Sequence, residues 1–414
     1  MIYCKIKTNK AINWLASQPN SRETNLFSTP ASFQPKITRD HRPSSLTTES
    51  QTPNNNQVAV SLGKRSYQIT LGPGALAAAD QTLKPFIENR HVVLVSDENV
   101  AALYLDQTTQ VISQVASRVD SYVIAPGEPS KSVAVCDTAW QQLLELATDR
   151  DSVIVALGGG VVGDLAGFLA ATLGRGIDFI QIPTSLLAQV DSSVGGKVGI
   201  NLPKSKNMVG AFWQPKAVII DPQVLSTLDE ANYIAGMAEV IKYGLIMDLP
   251  LFETIEASVD KIMDRDYETM TEIIAWCCRC KAAVVEADET ERSGRRAILN
   301  YGHTYGHAIE TVFGYGRYLH GQAIAIGMTC AGRLARNLGL VDEEFLGRQT
   351  ALFQAIGLPT VCPDERHSDL IKAMKRDKKV SHGKLKLILP TEIGNVELMQ
   401  APDDDTILES LHND

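Results

Sequence analysis

From Val58 onward, short apolar runs alternate with stretches of helical periodicity. Residues 67–71, 92–95, 122–124, 153–157 and 179–182 read as buried strands. Between them, amphipathic stretches such as 133–148 repeat apolar positions every three or four residues. Parallel strands need crossovers that cover both faces of their sheet, so this alternation predicts an α/β class with a Rossmann-like, mostly parallel sheet. After Asp221-Pro222 the periodicity becomes that of long helices, and only residues 384–389 read as a late strand. The expected organisation is an α/β domain over 57–226, followed by a mainly α-helical domain over 227–414.

Residues 1–56 carry neither period. Ser and Thr fill 14 of these positions and Lys and Arg fill 7, against the acids Glu23, Asp40 and Glu49. Thr52-Pro53-Asn54-Asn55-Asn56 reads as a linker, and a disordered extension is expected. The hydroxyl-rich, acid-poor composition fits an organellar transit peptide. A bacterial extension or a misassigned start codon accounts for it equally well. The expected compartment is the cytoplasm in a bacterium and a plastid if the leader is a transit peptide.

Composition narrows the class. A hydrophobic content of 44% is that of a globular chain, and no run approaches the length of a membrane span. The net charge of -9 argues against a nucleic-acid partner, because a phosphate backbone is held by a broad basic surface. An anionic small molecule stays open, since a pocket can gather lysines within an acidic protein. The seven cysteines show no framework spacing. Cys277, Cys278 and Cys280 lie in a helical pattern without paired CxxC spacing and read as buried, inert thiols.

Three segments carry candidate chemistry. The strand over 153–157 runs into Gly158-Gly159-Gly160-Val161-Val162-Gly163-Asp164, which satisfies GxGxxG and opens a helix. Glycines there let backbone N–H groups face a pyrophosphate, and a helix N-terminus favours its charge. The competing reading is tight strand-to-helix packing. The loop also falls late in its domain, unlike that of an ordinary dinucleotide-binding dehydrogenase. In Asn300-Tyr301-Gly302-His303-Thr304-Tyr305-Gly306-His307-Ala308-Ile309-Glu310, the residues Asn300, His303, His307 and Glu310 line one helix face. With His320 nearby in sequence, imidazoles and a carboxylate suit a divalent metal with an open position. Spacing alone makes His303 and His307 the ligand pair, and Glu239 with Lys242 an ordinary helical ion pair. Basic residues in apolar or glycine-rich segments form the third group: Arg175, Lys197, Lys206, Lys242, Lys281, Arg296 and Lys378. Lys197 and Lys206 are expected on flexible loops, where such cations can approach a phosphate and a carboxylate.

Taken together, these segments resemble the 3-dehydroquinate synthase family over about residues 58–400. The resemblance rests on Pro126-Gly127-Glu128 with Lys131, the loop from Gly158 to Asp164, Pro183-Thr184-Ser185-Leu186-Leu187, the stretch from Asp191 to Lys197, Lys206-Asn207, Ala238-Glu239-Val240-Ile241-Lys242, Asn300 to His307, Leu319-His320-Gly321 and Asp377-Lys378-Lys379. It implies that Glu239, His303 and His320 hold the metal, Zn or Co, and that His307 is an acid/base group at the substrate. It implies NAD contacts at Asp97, Glu128, Lys131, Gly159, Gly160, Asp164, Thr184, Ser185, Leu187, Lys197, Lys206 and Thr227. Substrate contacts are implied at Arg175, Asp191, Lys197, Asn207, Lys242, Lys281, Arg296, Asn300, His307 and Lys378. Ser205, Asn232 and Gln322 depart from the family pattern.

The implied reaction cyclises 3-deoxy-D-arabino-heptulosonate 7-phosphate with loss of phosphate. NAD takes a hydride and returns it, so the reaction is redox-neutral. A homodimer is expected with it. The alternatives are another sugar-phosphate cyclase and a metal-dependent polyol or glycerol-phosphate dehydrogenase, which would not need the Lys197, Lys206-Asn207 and Lys378 set.

Overall fold

The computed structural model describes residues 57–203, 205–314, 316–363, 366–376 and 385–413. The expected leader and Lys378 lie outside the described residues. The strands are β1 Gln57–Val60, β2 Tyr67–Leu71, β3 His91–Asp97, β4 Arg118–Ile124, β5 Val153–Gly158, β6 Asp178–Pro183, β7 Lys197–Leu202, β8 Ser205–Phe212, β9 Ala217–Ile220, β10 Lys386–Glu392 and β11 Asn395–Gln400. The helices are α1 Ala79–Ile87, α2 Glu98–Val100, α3 Asp106–Ile112, α4 Val133–Glu145, α5 Gly160–Thr172, α6 Glu230–Met247, α7 Leu249–Ala257, α8 Val259–Met263, α9 Tyr267–Ala287, α10 His303–Phe313, α11 His320–Asn337, α12 Glu343–Ile356, α13 His367–Arg376 and α14 Asp404–Leu411.

Seven strands form one sheet in the order β1-β2-β9-β6-β5-β3-β4. All its pairings are parallel except β1 with β2. Side chains alternate between faces along a strand, and the sequence uses this fully. Val93, Val95, Ile154, Ala156 and Phe179 enter a core with α4 and α5, while Val92, Leu94, Val153, Val155, Leu157 and Ile180 enter another with α1 and α3. Every residue of β5 is therefore buried. The register sets Ser96 beside Leu157 and Gly158 beside Pro183, so the ends of β3, β5 and β6 open side by side along one edge.

A third apolar cluster joins β1, β2 and β9 to helices α6 to α14. The expected late strand is β10, which pairs with an unexpected β11. Lys197 and Lys206 lie not on loops but on β7 and β8, an antiparallel hairpin pairing Lys197 with Phe212 and Ile200 with Val209. Val198 and Ile200 anchor the hairpin in the core beside α5. Gly199 and Gly210 face each other so closely that a Cβ on Gly199 would lie 2.6 Å from the Val209 carbonyl. Those glycines make the segment read as loop in sequence while permitting the strand contact in three dimensions.

Candidate active site

Three helices bring the metal-compatible groups together. Glu239 and Lys242 project from α6, His303 opens α10, and His320 opens α11. Close backbone approach makes this possible. A Cβ on Gly321 would sit 1.8 Å from the Ala235 carbonyl of α6, and one on Gly327 would sit 2.2 Å from the Gly302 carbonyl before α10. Donor atoms of Glu239, His303 and His320 consequently lie within 4.8 Å of one another. A second such group, His307, Glu310 and His320, shares His320. The ring centroids of His303, His307 and His320 stand 5.4 to 6.0 Å apart.

The hydrogen bonds separate these two groups. Glu239 is buried, and its Oε1 has no hydrogen-bond partner among the described residues. That atom faces His303 Nε2 at 3.6 Å, while His303 Nδ1 is turned to the Tyr301 carbonyl at 3.1 Å. Two donors each ~2.0–2.2 Å from a tetrahedral ion stand roughly 3.3–3.6 Å apart. The pair thus has the spacing and the unmet charge a divalent cation would satisfy. Glu239 Oε2 is engaged by Lys242 Nζ. The Glu310 carboxylate is already met by His320 Nδ1 at 3.3 Å and Lys206 Nζ at 3.7 Å. Neither of these groups is the His303 and His307 pair that spacing suggests, because helix spacing cannot register a carboxylate supplied by another helix.

Cations and their counter-charges surround this centre. Lys281 Nζ donates to Asp191 Oδ1 at 2.7 Å, and Tyr243 Oη donates to the same atom at 2.9 Å. Burial works against the Asp191 carboxylate, but Lys281 and Lys242 outweigh it and hold its pKa well below the usual range. Burial lowers the Lys281 pKa despite Asp191. Arg296 is buried, and its Nε lacks a hydrogen-bond partner among the described residues. Glu291 pairs with Lys197 and stands 3.6 Å from that Nε. Arg296 also donates through its Nη1 to the Glu289 carbonyl at 2.9 Å, so its buried charge is partly met from the segment that carries Glu289 and Glu291. Asn300 is half-buried at the end of the turn Arg295–Asn300 leading to His303. Arg175 stands apart: it is exposed, has φ 70°, and makes no hydrogen bond or ion pair among the described residues.

The glycine loop lies at the carboxyl edge of the sheet, where α/β folds bind ligands. Gly159 caps α5 and, lacking a side chain, makes no capping bond of its own. A Cβ on Gly159 would meet Ser185 no closer than 3.4 Å, whereas one on Gly158 would strike Val162 at 2.6 Å and one on Gly163 would strike Gln181 at 2.8 Å. The outer glycines therefore serve packing, while a Cβ on Gly160 would press on Ser192 Oγ at 3.1 Å, so Gly159 is the most open position of the cradle. Around it, Lys131 Nζ donates to Asp164 and to Asn207, each at 2.6 Å, and lies 3.4 Å from Glu128. Asp97 caps the turn after β3. Thr184, Ser185 and Leu187 follow β6, and the Thr227 hydroxyl bonds Tyr104 at 2.6 Å. Sequence reasoning missed Asn201, which bonds Glu128 and the Asn207 amide, as well as Tyr243 and Glu291. None of the three stands in a motif of its own. The buried thiols match expectation, and burial pushes Cys278 and Cys280 up to about 12.

This architecture is that of a nucleotide- and metal-site α/β-plus-helical enzyme. Its solved relatives include a 2-deoxy-scyllo-inosose synthase complexed with carbaglucose-6-phosphate, NAD+ and Co2+, with TM-score 0.78 and 25% identity, covering 86% of this chain and 99% of that one. The glycerol dehydrogenase of Schizosaccharomyces pombe shares the fold alone, with TM-score 0.59 and 15% identity over 83% of this chain and 87% of that one. Family models described as 3-dehydroquinate synthase N-terminal and C-terminal match residues 121–235 and 236–380. The 3-dehydroquinate synthase of Rhodopirellula baltica is 49% identical over 348 residues, 83% of this chain and 93% of that protein. That of Shewanella pealeana is 47% identical over 354 residues, 85% of this chain and 98% of that protein. The chain belongs to the 3-dehydroquinate synthase family. No helix among the described residues is long and apolar enough to cross a membrane.

Proposed function

We propose that this enzyme performs its family's reaction, converting 3-deoxy-D-arabino-heptulosonate 7-phosphate to 3-dehydroquinate and phosphate, with Glu239, His303 and His320 as the ligands of one divalent metal. The observation that carries this reading is the buried, unpartnered Glu239 Oε1 facing His303 Nε2 beside the Lys242 and Lys281 cations. Bound there, Zn or Co supplies Lewis acidity to substrate oxygens, and NAD at the glycine cradle supplies reversible hydride transfer. The chain's own residues do the rest. Lys197, Lys242, Lys281, Arg296, Asn207 and Asn300 hold one flexible polyanion through several steps, an orientation effect. His307, half-buried with its ring 5.4 Å from that of His303, moves protons at the substrate rather than holding the metal. Asp97, Glu128, Lys131, Gly159, Gly160, Asp164, Thr184, Ser185, Leu187, Lys206 and Thr227 form the cofactor side, and Arg175 and Lys378 complete the substrate set.

The reading divides the chain into a cofactor half over 57–226 and a metal half over 227–414, in a homodimer. The compartment follows the leader: cytoplasm in a bacterium, plastid where residues 1–56 are cleaved. Turnover with the heptulosonate phosphate is expected to release one phosphate per substrate while total NADH stays constant. A polyol dehydrogenase, which shares this fold, would accumulate NADH without releasing phosphate, and that stoichiometry would overturn the reading.

A further inference from the structure

The metal-side imidazoles each carry a second nitrogen that something must orient. For His303 it is the Tyr301 carbonyl. For His320 the nearest polar side chain on its own helix is Gln322, but its Oε1 accepts from the Leu319 amide at 3.0 Å, closing the first turn of α11. The carboxylate that reaches His320 comes instead from α10. Glu310 is buried, its Oε1 accepts from His320 Nδ1 at 3.3 Å, and Lys206 of β8 approaches the same oxygen at 3.7 Å.

We propose that Glu310 is the positioning residue of the metal centre. It fixes the His320 tautomer with the proton on Nδ1, so that Nε2 is left for the metal, and it is itself held by Lys206 from the hairpin. A carboxylate accepting from the far nitrogen of a ligating imidazole fixes ring orientation and raises its basicity. The proposal rests on the ligand set Glu239, His303 and His320, and it excludes Glu310 as a ligand in the alternative group with His307.

Metal affinity, read by competition with a chromophoric chelator on the full chain loaded with Zn2+, tests it. Glu310→Gln keeps the shape of the side chain and is expected to weaken Zn2+ binding by about 10- to 100-fold while one ion per chain still binds at saturation. Gln322→Ala is expected to leave affinity unchanged and lower only the melting temperature. Unchanged affinity in Glu310→Gln would overturn the proposal. So would a loss of affinity shared by Glu310→Gln and His307→Ala but absent from Glu239→Gln, since the ion would then sit in the other group. Retained affinity in both Glu239→Gln and His303→Ala would instead sink the ligand assignment itself. Should Glu310→Gln fail to fold, long-range proton–nitrogen correlation on histidine-labelled, metal-free wild-type protein decides: the Nδ1–H tautomer at His320 is expected, and the Nε2–H tautomer overturns the proposal.

Discussion

In the sheet half, the candidate site is made of residues that follow one another. Gly158 to Asp164 pass from β5 into α5, and the neighbouring strand ends bring Asp97 and Thr184 to the same edge because parallel register requires it. In the helical half, the metal-compatible triad is drawn from α6, α10 and α11, and 81 positions separate Glu239 from His320. No local pattern joins them. They meet because glycines without Cβ atoms let helix backbones touch. A cradle built from consecutive backbone groups tolerates change at most of its side chains, whereas a triad built across helices fails when any one member or contact is lost.

Removing a ligand tests this contrast most severely. His320→Ala is expected to lose the metal and to reduce turnover by on the order of 10³-fold, corresponding to several kcal/mol of lost charge stabilisation. NAD binding, measured by fluorescence or calorimetry, is expected to persist because the glycine cradle is untouched. Loss of both together would show that the two halves form their sites as one unit.

The contact that assembles the triad comes next. Gly321→Val places a Cβ where the Ala235 carbonyl already stands, within 1.8 Å of the ideal position. Backbone cannot retreat as a flexible side chain can, so destabilisation is expected near the upper end of the ~1–3 kcal/mol typical of overpacking. Thermal or urea unfolding would measure it, and metal affinity should fall with it. A stable variant with full metal affinity would mean that α6 and α11 need not touch at this point.

The same contrast governs what could be read from sequence. Strands β2 to β6, α4, the opening of α5 and the His303, His307 and Glu310 positions of α10 were legible because buried strands and amphipathic helices carry their periods locally, whereas the short strands β1 and β9 were not read and Asn300 stands on the turn before α10. The β7–β8 hairpin was not, since Gly199, Gly210 and a solvent-facing side made it resemble loop. Glu239 looked like half of a surface ion pair because only tertiary structure buries it. The three residues that the family resemblance groups do lie within 4.8 Å of one another, but neither spacing nor resemblance pointed to Asn201, Tyr243 or Glu291, which act through partners far away in the chain.

Where the two halves meet, Asp191 gives a smaller and pH-dependent effect. It sits on the turn Ala188–Ser192, between β6 and β7, and reaches Lys281 of α9 and Tyr243 of α6, with Lys242 adding to the field. Asp191→Asn removes the charge while keeping the shape. The lost charge-assisted bonds would cost roughly 1.5–3 kcal/mol if sheltered, and the carboxylate side chain is 29% exposed, so about 1.5 kcal/mol is expected. The sign of the pH dependence follows from the direction of the shift. A carboxyl whose pKa is lower in the folded chain stabilises the fold above its unfolded value, near 3.9, and loses that contribution as pH falls toward the folded value. The gap in unfolding free energy between wild type and Asp191→Asn should therefore be constant from neutral pH down to about 5 and close progressively below about 4. A gap unchanged in that acidic window would show that the carboxylate is not held by Lys281 and Lys242, and that the halves are joined here by packing rather than by charge.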